Sequence, residues 1–150
     1  MFNFSDRSRA QLKTCHPDLQ TLANELIKVW NFTVVEGMRT TERQVLMFKQ
    51  GKSKLDGINK KSKHQARTCK ECPDGCSFAF DIYPFPIEPN NMEQFKQQWK
   101  VIMPLAKKLK DSGRMKHALR AGIDWDSDGD TSDEKFIDAP HYELVTLKGE

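Results

Sequence analysis

The stretch KFIDAPHYELV, residues 135–145, combines a carboxylate and an imidazole with the apolar pattern of a strand. Asp138 and His141 are three residues apart, and apolar residues alternate with polar ones in the segment that follows. Alternation of this kind is typical of a strand with one buried face. The pattern therefore predicts a strand at 140–146, with Asp138 and His141 at the edge of the core.

A second imidazole and a second carboxylate lie upstream of this stretch. His64 is in the segment SKH, and Asp81 is within the apolar run FAFDIYP, residues 78–84. Two histidines and one aspartate form a hydrolytic zinc set, because three protein ligands leave the fourth position to water. With these two residues and His141 as ligands, Asp138 remains as a candidate general base.

The composition indicates a folded chain with one core. Its 150 residues fit one domain. Hydrophobic residues make up 37% and charged residues 30%, and the apolar residues occur in periodic segments, which argues against disorder. The net charge of +3 favours an anionic polymer but is far from the dense basic face of a dedicated DNA-binding protein.

Neither a membrane span nor a secretion signal is predicted. No run of residues approaches the length needed to cross a bilayer. The first twelve residues, MFNFSDRSRAQL, lack the apolar segment and the cleavage site of a signal peptide. The chain is therefore expected to be made and kept in the cytoplasm.

Apolar periodicity and turn residues predict several helices and short strands. The predicted helices cover 7–12, 18–30, a segment from Thr40 or Thr41 to Gly51, and 92–112, and the predicted strands cover 32–36, 78–83, 119–125 and 140–146. In the third helix, Val45, Leu46 and Phe48 are expected to face inward. The basic segment 52–63 is expected to be an exposed loop. Helices around a few short, mostly antiparallel strands indicate an α+β domain.

Four short motifs, in their order along the chain, resemble the zinc D-Ala-D-Ala peptidase family: Gly37-Met38-Arg39-Thr40, Ser62-x-His64, Ala79-x-Asp81 and Asp138-x-x-His141. The likeness is greatest to compact phage endolysins that act as L-alanyl-D-glutamate peptidases, and it extends from the first helix to about residue 145. The resemblance implies one peptidase domain over residues 1–150, with the small antiparallel sheet and surrounding helices of the hedgehog and lysostaphin-type core.

The resemblance also implies roles for single residues. It makes His64, Asp81 and His141 the ligands of a zinc ion, and Asp138 the general base. It makes Arg39 the group that holds the substrate carbonyl or carboxylate, where a guanidinium can stabilise an oxyanion by charge-assisted hydrogen bonds. Ser62 is expected to orient either the substrate or the ligand loop.

The activity that the resemblance implies is hydrolysis of a stem-peptide bond of bacterial peptidoglycan, at L-alanyl-D-glutamate, during phage-directed lysis. Peptidoglycan is then the expected partner, without nucleic acid or membrane insertion, and the chain is expected to act as a monomer. It would stay in the host cytoplasm until a holin-made pore gives access to the cell wall in the periplasm. A D-alanyl-D-alanine carboxypeptidase or dipeptidase is the alternative within the enzyme class.

The chain departs from the family pattern between the first two ligands. The family places the aspartate seven residues after the histidine, whereas Asp81 lies seventeen after His64, so ten residues are inserted within 65–77. A surface loop grows at small entropic cost, so the site can survive if the ends of the loop stay fixed. Asp74 is also within reach, but Asp81 is preferred because a strand holds a ligand better than a Gly/Pro loop does.

Three cysteines in the insertion, Cys69, Cys72 and Cys76, have three interpretations. With Cys15, His16 or another group as fourth ligand, they would form a structural zinc site. They would otherwise form a disulfide or stay reduced.

Two non-enzymatic alternatives remain. If the three cysteines form one closed site with His64, next to the lysine-rich segment 52–63, the chain would be a small zinc-binding nucleic-acid module. His141 and Asp138 would then be incidental. The other alternative is a catalytically dead wall-binding domain, against which the intact ligand set argues.

An acidic segment resembles the start of a calcium loop, with oxygen ligands at alternate positions and glycine at the sixth: Asp124, Asp126, Asp128, Gly129 and Asp130. The twelfth position is Lys135, and Glu134 lies one residue early. Both an atypical calcium site and a solvated acidic hairpin are therefore consistent with the sequence.

Two types of residue, histidine and tryptophan, remain without a motif. His16 and His117 match no partner, and a surface position near a helix end is expected for each. Trp30 and Trp99 are expected in the core or the cleft wall. Trp125 has the same two expected positions and, because it is close to the site in sequence, lining of the substrate groove as a third.

Overall fold

The structure is a computed structural model that describes residues 2–150; Met1 lies outside this range. Helices and strands alternate irregularly along the chain. The helices are α1 (Asp6–Leu12), α2 (Pro17–Leu26), α3 (Thr41–Lys49) and α4 (Met92–Asp111), and the strands are β1 (Phe32–Glu36), β2 (Ala79–Pro84), β3 (Leu119–Ala121) and β4 (His141–Leu144). The predicted α+β class is confirmed.

The four strands form one antiparallel sheet in the order β1-β2-β4-β3. Successive side chains of a strand point to opposite faces. Phe80 and Tyr142 are paired across β2 and β4 and are fully buried in the core that the sheet shares with α2 and α4. Asp81, His141 and Glu143 occupy the alternate positions of the same two strands and so share the opposite face. The sheet thus separates an apolar face from a polar one.

Two predicted elements are shorter in the structure. The second helix ends at Leu26 and not at residue 30, because the chain turns at 27–29 to enter β1. The third strand ends at Ala121 and not at residue 125, because the Asp124 N–H donates to the Ala121 carbonyl and closes a turn. The other helices and strands agree with their predicted bounds within a residue or two.

The prediction that the apolar residues of α3 face inward is wrong for Leu46 and Phe48, whereas Val45 is half-buried. Leu46 and Phe48 are 52% and 44% exposed, whereas Gln44 is fully buried. The Gln44 amide donates to Ser53 Oγ at 3.0 Å and to the Leu55 carbonyl at 2.7 Å. The polar face of α3 therefore fastens the loop that follows the helix, and Leu46 and Phe48 remain at the surface.

The segment between α3 and β2 contains no helix or strand in the described structure. Most of residues 52–63 are exposed, as expected, but Ser62 is buried and Lys63 is half-buried. Asp56 orders the first half of this segment by accepting hydrogen bonds from the backbone N–H groups of Ile58, Asn59 and Lys60. Within residues 2–150, no helix is both long and apolar enough to cross a membrane.

Candidate metal centre

Three side-chain atoms converge on one point beside the polar face of the sheet. His64 Nε2 lies 3.0 Å from Asp81 Oδ1 and 3.1 Å from His141 Nδ1, and the last two atoms are 3.3 Å apart. Ligand atoms at 2.0–2.1 Å from a tetrahedral zinc ion lie about 3.3–3.4 Å from one another. The triangle is therefore close to the size that a zinc ion requires.

The fold brings these ligands together through two sets of backbone contacts. Asp81 and His141 are direct partners in the pairing of β2 with β4, so the sheet itself sets their separation. His64 comes from the long loop, which is fastened to the exit of β1: the Arg39 N–H donates to the His64 carbonyl at 2.8 Å. Two strands and one anchored loop thus hold three ligands that are far apart in sequence.

In each imidazole, one nitrogen faces the centre and the other forms a hydrogen bond outside it, and this outer bond fixes where the ring carries its proton. His64 Nδ1 lies 2.8 Å from the Gly37 carbonyl and can only donate to it, and His141 Nε2 lies 2.9 Å from a Glu143 carboxylate oxygen. Both inward nitrogens therefore carry lone pairs, and they face a third electron-rich atom, Asp81 Oδ1. Such atoms repel unless a cation or a proton lies between them. Outer hydrogen bonds of this kind are typical of metal-binding histidines, so the residues fit a divalent metal.

The charges at the centre favour a bound cation. Burial alone lowers the pKa of His141, but its hydrogen bonds to Asp81 and Glu143 outweigh burial and raise the pKa to about 9. Burial raises the pKa of Asp81, but hydrogen bonds from His141 and His64 hold it well below its usual range. A proton on His141 and a metal ion therefore compete for the same place.

Asp138 lies where the chain enters β4. Its N–H donates to the Gly122 carbonyl at 2.8 Å, and its carbonyl accepts the His141 N–H at 3.1 Å. Burial, followed by the charge of Asp81, raises the pKa of the Asp138 carboxyl, whereas the nearby His141, His64 and Arg39 lower it in part. A carboxylate with a raised pKa beside the candidate ligands suits proton transfer.

Arg39 is buried and already has strong partners. Its Nε and one terminal nitrogen donate to both carboxylate oxygens of Glu36, at 2.9 and 2.8 Å, and the other terminal nitrogen donates to Gln44 at 2.7 Å. Three of the five guanidinium N–H groups are thus used. One N–H on each terminal nitrogen is not used by Glu36 or Gln44.

Ser62 and Asp74 lie differently with respect to the centre. Ser62 is 4% exposed, and its Oγ accepts the His64 N–H at 3.1 Å. Of the two roles expected for Ser62, this contact supports orientation of the loop that carries His64. Asp74 is exposed in the insertion, while Asp81 lies between the two histidines. The preference for Asp81 over Asp74 agrees with this geometry.

Sequence reasoning missed Glu143 and Glu36. Glu143 is 4% exposed, binds His141, and receives a hydrogen bond from Arg120 at 2.8 Å. The sequence did contain a signal for Glu143. It lies two positions after the candidate ligand His141 in a short strand, so both side chains lie on one face of the sheet. Glu36 stands three residues before Arg39, but nothing in that spacing indicates a bidentate ion pair.

The cysteines adopt one of the arrangements left open by the sequence. Cys72 and Cys76 form a disulfide, and Cys15 and Cys69 are free. Cys69 and Cys72 lie beside His16, whereas His64 lies beside Asp81 and His141. A closed site that joins His64 to the cysteines, as in the nucleic-acid alternative, is therefore not the arrangement in the structure.

The surface position expected for His16 and His117 is wrong, since both are fully buried. His16 caps α2, and His117 lies between Asp18 and Glu150, each at 2.7 Å from one of its ring nitrogens. Trp125 packs beside the centre, with its ring centroid 5.4 Å from that of His141. Trp125 therefore forms part of the wall of the site.

In the acidic segment, carboxylate oxygens of Asp124, Asp126 and Asp128 lie within 4.8 Å of one another. Asp124 is buried, and its carboxylate accepts the backbone N–H groups of Asp128 and Gly129. Asp130 accepts hydrogen bonds from the backbone and the side chain of Ser132.

Comparison with known proteins agrees with the geometry. The family model of the phage L-alanyl-D-glutamate peptidases matches residues 1–145. The L-alanyl-D-glutamate peptidase of Escherichia phage T5 is 32% identical over 152 residues, which cover 96% of this chain and 98% of the relative. The crystal structure of the L-Ala D-Glu endopeptidase ChiX of Serratia marcescens has a similar fold, with a TM-score of 0.63 at 20% identity over 95% of this chain and 89% of ChiX.

The family match spans nearly the whole chain and includes all four motifs from which the resemblance was inferred. The fold is also similar to that of the endopeptidase ChiX. The chain belongs to the phage L-alanyl-D-glutamate peptidase family.

Proposed function

We propose that this protein is a zinc endopeptidase that cleaves the L-alanyl-D-glutamate bond in the stem peptide of bacterial peptidoglycan. The observation that carries the proposal is the convergence of His64 Nε2, Asp81 Oδ1 and His141 Nδ1 within 3.0–3.3 Å. Membership of a family named for this activity, and a relative from phage T5 with the same name, support the choice of bond.

In this proposal His64, Asp81 and His141 hold the ion, and a fourth position is left for water. Bound zinc would lower the pKa of that water towards neutrality and polarise the scissile carbonyl. Asp138 takes the proton of the attacking water and later delivers it to the leaving amine of D-glutamate. In the metal-free site, burial raises the pKa of the Asp138 carboxyl, which favours its acceptance of a proton.

Arg39 and its partners would position the substrate. Glu36 and Gln44 fix the plane of the Arg39 guanidinium, so its two remaining N–H groups have a fixed direction. A fixed donor pair can bind a substrate carbonyl or carboxylate and stabilise the oxyanion of the tetrahedral intermediate. Ser62 keeps the His64 loop in place.

The proposed unit is a single peptidase domain over residues 1–150, with the cysteine-containing insertion at about 65–77. One chain supplies all the proposed ligands, which suits a monomer. As proposed, the protein remains in the host cytoplasm until lysis gives it access to the cell wall.

Purified peptidoglycan tests the function directly. The protein should release fragments that carry a new free amine on D-glutamate, as detected by mass spectrometry, and a chelator should stop the release. Free D-alanine as the product would instead support the carboxypeptidase or dipeptidase alternative. If no fragment appears with the zinc-loaded protein, the enzymatic proposal is wrong.

Calcium binding by Asp124, Asp126, Asp128 and Asp130 stays a prediction. A bound ion would order the segment that leads into Asp138, so calcium should raise both hydrolysis and the melting temperature of the stripped protein. Calcium titration with zinc held constant tests this. Unchanged activity and melting temperature would leave the solvated acidic loop as the better interpretation.

A further inference from the structure

A second cluster of ligand-type side chains lies in the cysteine-containing insertion. His16, Cys69 and Cys72 each offer one ligand atom, and these atoms all lie within 4.8 Å of one another. Cys76 belongs to the same cluster, because its sulfur is bonded to that of Cys72. None of these four residues has a role in the proposed hydrolysis.

The backbone of the insertion holds the three cysteines in a tight hairpin. Cys69 and Cys72 exchange two backbone hydrogen bonds of 3.1 Å, and the Gly75 N–H donates to the Cys72 carbonyl at 3.0 Å. At the base of the hairpin, Arg67 and Cys76 exchange two further bonds of 2.9 Å. The C-x-x-C-x-x-x-C spacing is therefore folded so that its sulfurs lie close together, as thiolate metal sites require.

The buried side chain of His16 points to a ligand at this cluster. Its Nε2 has no hydrogen-bond partner among residues 2–150, and Oε2 of Glu71 lies 3.8 Å from it, too far for a hydrogen bond. The ring is held edge-on against Phe78 and His117, at centroid distances of 5.1 and 4.8 Å. A buried nitrogen without a partner is unfavourable, and a metal bond would give Nε2 a partner once its proton has moved to Nδ1.

Cys15, although adjacent to His16 in sequence, has another environment. Its Sγ lies 3.6 Å from the Gln11 carbonyl, and a Cβ added to Gly37 would be 2.9 Å from the same sulfur. Cys15 is thus packed at the exit of β1. Of the fourth ligands considered from sequence, the geometry favours His16.

We infer that the reduced insertion binds one zinc-type ion through the thiolates of Cys69, Cys72 and Cys76 and through His16 Nε2. Such a Cys₃His site is a common structural zinc site. It would join the insertion to the start of α2 and so fix the loop between the proposed catalytic ligands His64 and Asp81. The site is independent of the proposed function.

Formation of the site requires one reduction and a redistribution of protons. Two molecules of a thiol reductant convert the Cys72–Cys76 disulfide to two thiols and become one disulfide themselves. Metal binding then releases three thiol protons. In the metal-free ring, His16 Nδ1 accepts the Asp18 N–H at 2.9 Å, so Nε2 carries the proton. On metal binding this proton moves to Nδ1, and the contact with the Asp18 N–H opens.

Cobalt(II) is a suitable probe, because thiolate ligands give intense near-ultraviolet charge-transfer absorption that a site of two histidines and one aspartate does not. The full chain with His141→Ala is reduced, loaded with cobalt and titrated. We expect one cobalt per chain with thiolate absorption. Adding Cys69→Ser should abolish the absorption, and the matched control Cys15→Ser should keep it. Adding His16→Ala should weaken cobalt binding about tenfold or more.

The inference is overturned if the reduced chain shows no thiolate absorption, if Cys69→Ser keeps it, or if His16→Ala binds cobalt as tightly as the parent. Thiol alkylation of the unmutated chain tests the inference without any variant, so it still applies if the variants do not fold. Zinc should slow alkylation of Cys69, Cys72 and Cys76 in the reduced protein about tenfold or more, as read by peptide mass spectrometry. Equal alkylation rates with and without zinc would overturn the inference even if the protein hydrolyses peptidoglycan.

Discussion

Asp138 and His141 lie on one short segment but have different proposed tasks, and substitution separates them. Asp138→Asn leaves the three ligands intact, so zinc content should be unchanged while hydrolysis falls about 10²–10⁴-fold. His141→Ala removes a ligand and should lose both zinc and hydrolysis. Zinc per chain by mass spectrometry, with peptidoglycan release, measures both. If Asp138→Asn hydrolyses peptidoglycan at nearly the normal rate, another group is the base.

Glu143 contacts the candidate ligand His141 directly. It accepts the His141 Nε2–H at 2.9 Å and is itself bound by Arg120 at 2.8 Å. Glu143→Gln keeps the shape of the side chain but loses its charge, so zinc affinity should fall about 10–100-fold. Competition with a zinc chelator measures this affinity. Glu25→Gln, which removes a surface carboxylate bound by Arg114, should leave zinc affinity unchanged; equal losses in both variants would contradict a specific role for Glu143.

At the scale of the elements, the end of β3 positions the segment that carries Asp138. The Gly122 N–H donates to the His141 carbonyl at 2.7 Å, and its carbonyl accepts the Asp138 N–H. A Cβ on Gly122 would lie 2.2 Å from the backbone oxygen of Asp138. Because that neighbour is backbone, the entry into β4 would have to move.

Gly122→Ala should therefore destabilise the fold by about 1–3 kcal/mol and also reduce hydrolysis strongly. Gly51→Ala is the matched control: Gly51 has φ +73° with no atom within 4 Å of an added Cβ, so it should lose only about 1–2 kcal/mol and keep its activity. Denaturant unfolding and peptidoglycan release measure the two effects. Full activity in Gly122→Ala would show that the position of Asp138 does not depend on this close approach.

At the scale of the whole molecule, the metal centre of the metal-stripped protein should contribute most to stability between about pH 4.5 and 6.5. The pKa of His141 rises from 6.5 to about 9, because hydrogen bonds to Asp81 and Glu143 outweigh burial, which alone lowers it. Its contribution to stability is therefore complete below pH 6.5 and is lost as pH rises through 9. The pKa of Glu143 falls from 4.5 to about 2, because its hydrogen bond with His141 outweighs burial, which alone raises it. Its contribution is complete above pH 4.5 and is lost as pH falls towards 2.

Thermal unfolding with excess chelator tests this window. The melting temperature should fall by several degrees between pH 6.5 and 9, since a few kcal/mol correspond to a shift of that size in a chain of this length. His141→Ala should show a flatter profile over the same range. A melting temperature of the stripped protein that stays level or rises between pH 6.5 and 9 would contradict the proposed proton on His141.

Much of the fold and of the site follows from local chemistry. The apolar periodicity of residues 92–112 predicted α4, and β-branched and aromatic runs predicted β1 and β2. α3 was misjudged because Val45 and Phe48, three residues apart, have the spacing of one helix face, while the contacts that bury Gln44 come from residues after the helix. The expected surface positions of His16 and His117 failed for the same reason, since the rings that pack against His16 and the carboxylates that bind His117 are distant in the chain.

The sequence by itself determined which ligand types this protein carries, in which order, and on which kinds of segment, because periodicity and motif spacing are local properties. Only the tertiary structure decided that Asp81 pairs with His141 across the sheet and that Gly37 and Glu143 turn the two imidazoles so that their lone pairs meet. It also placed His16 beside the cysteines of the insertion. These relations join residues dozens of positions apart, and no local pattern records the strand register and loop anchoring that bring them together.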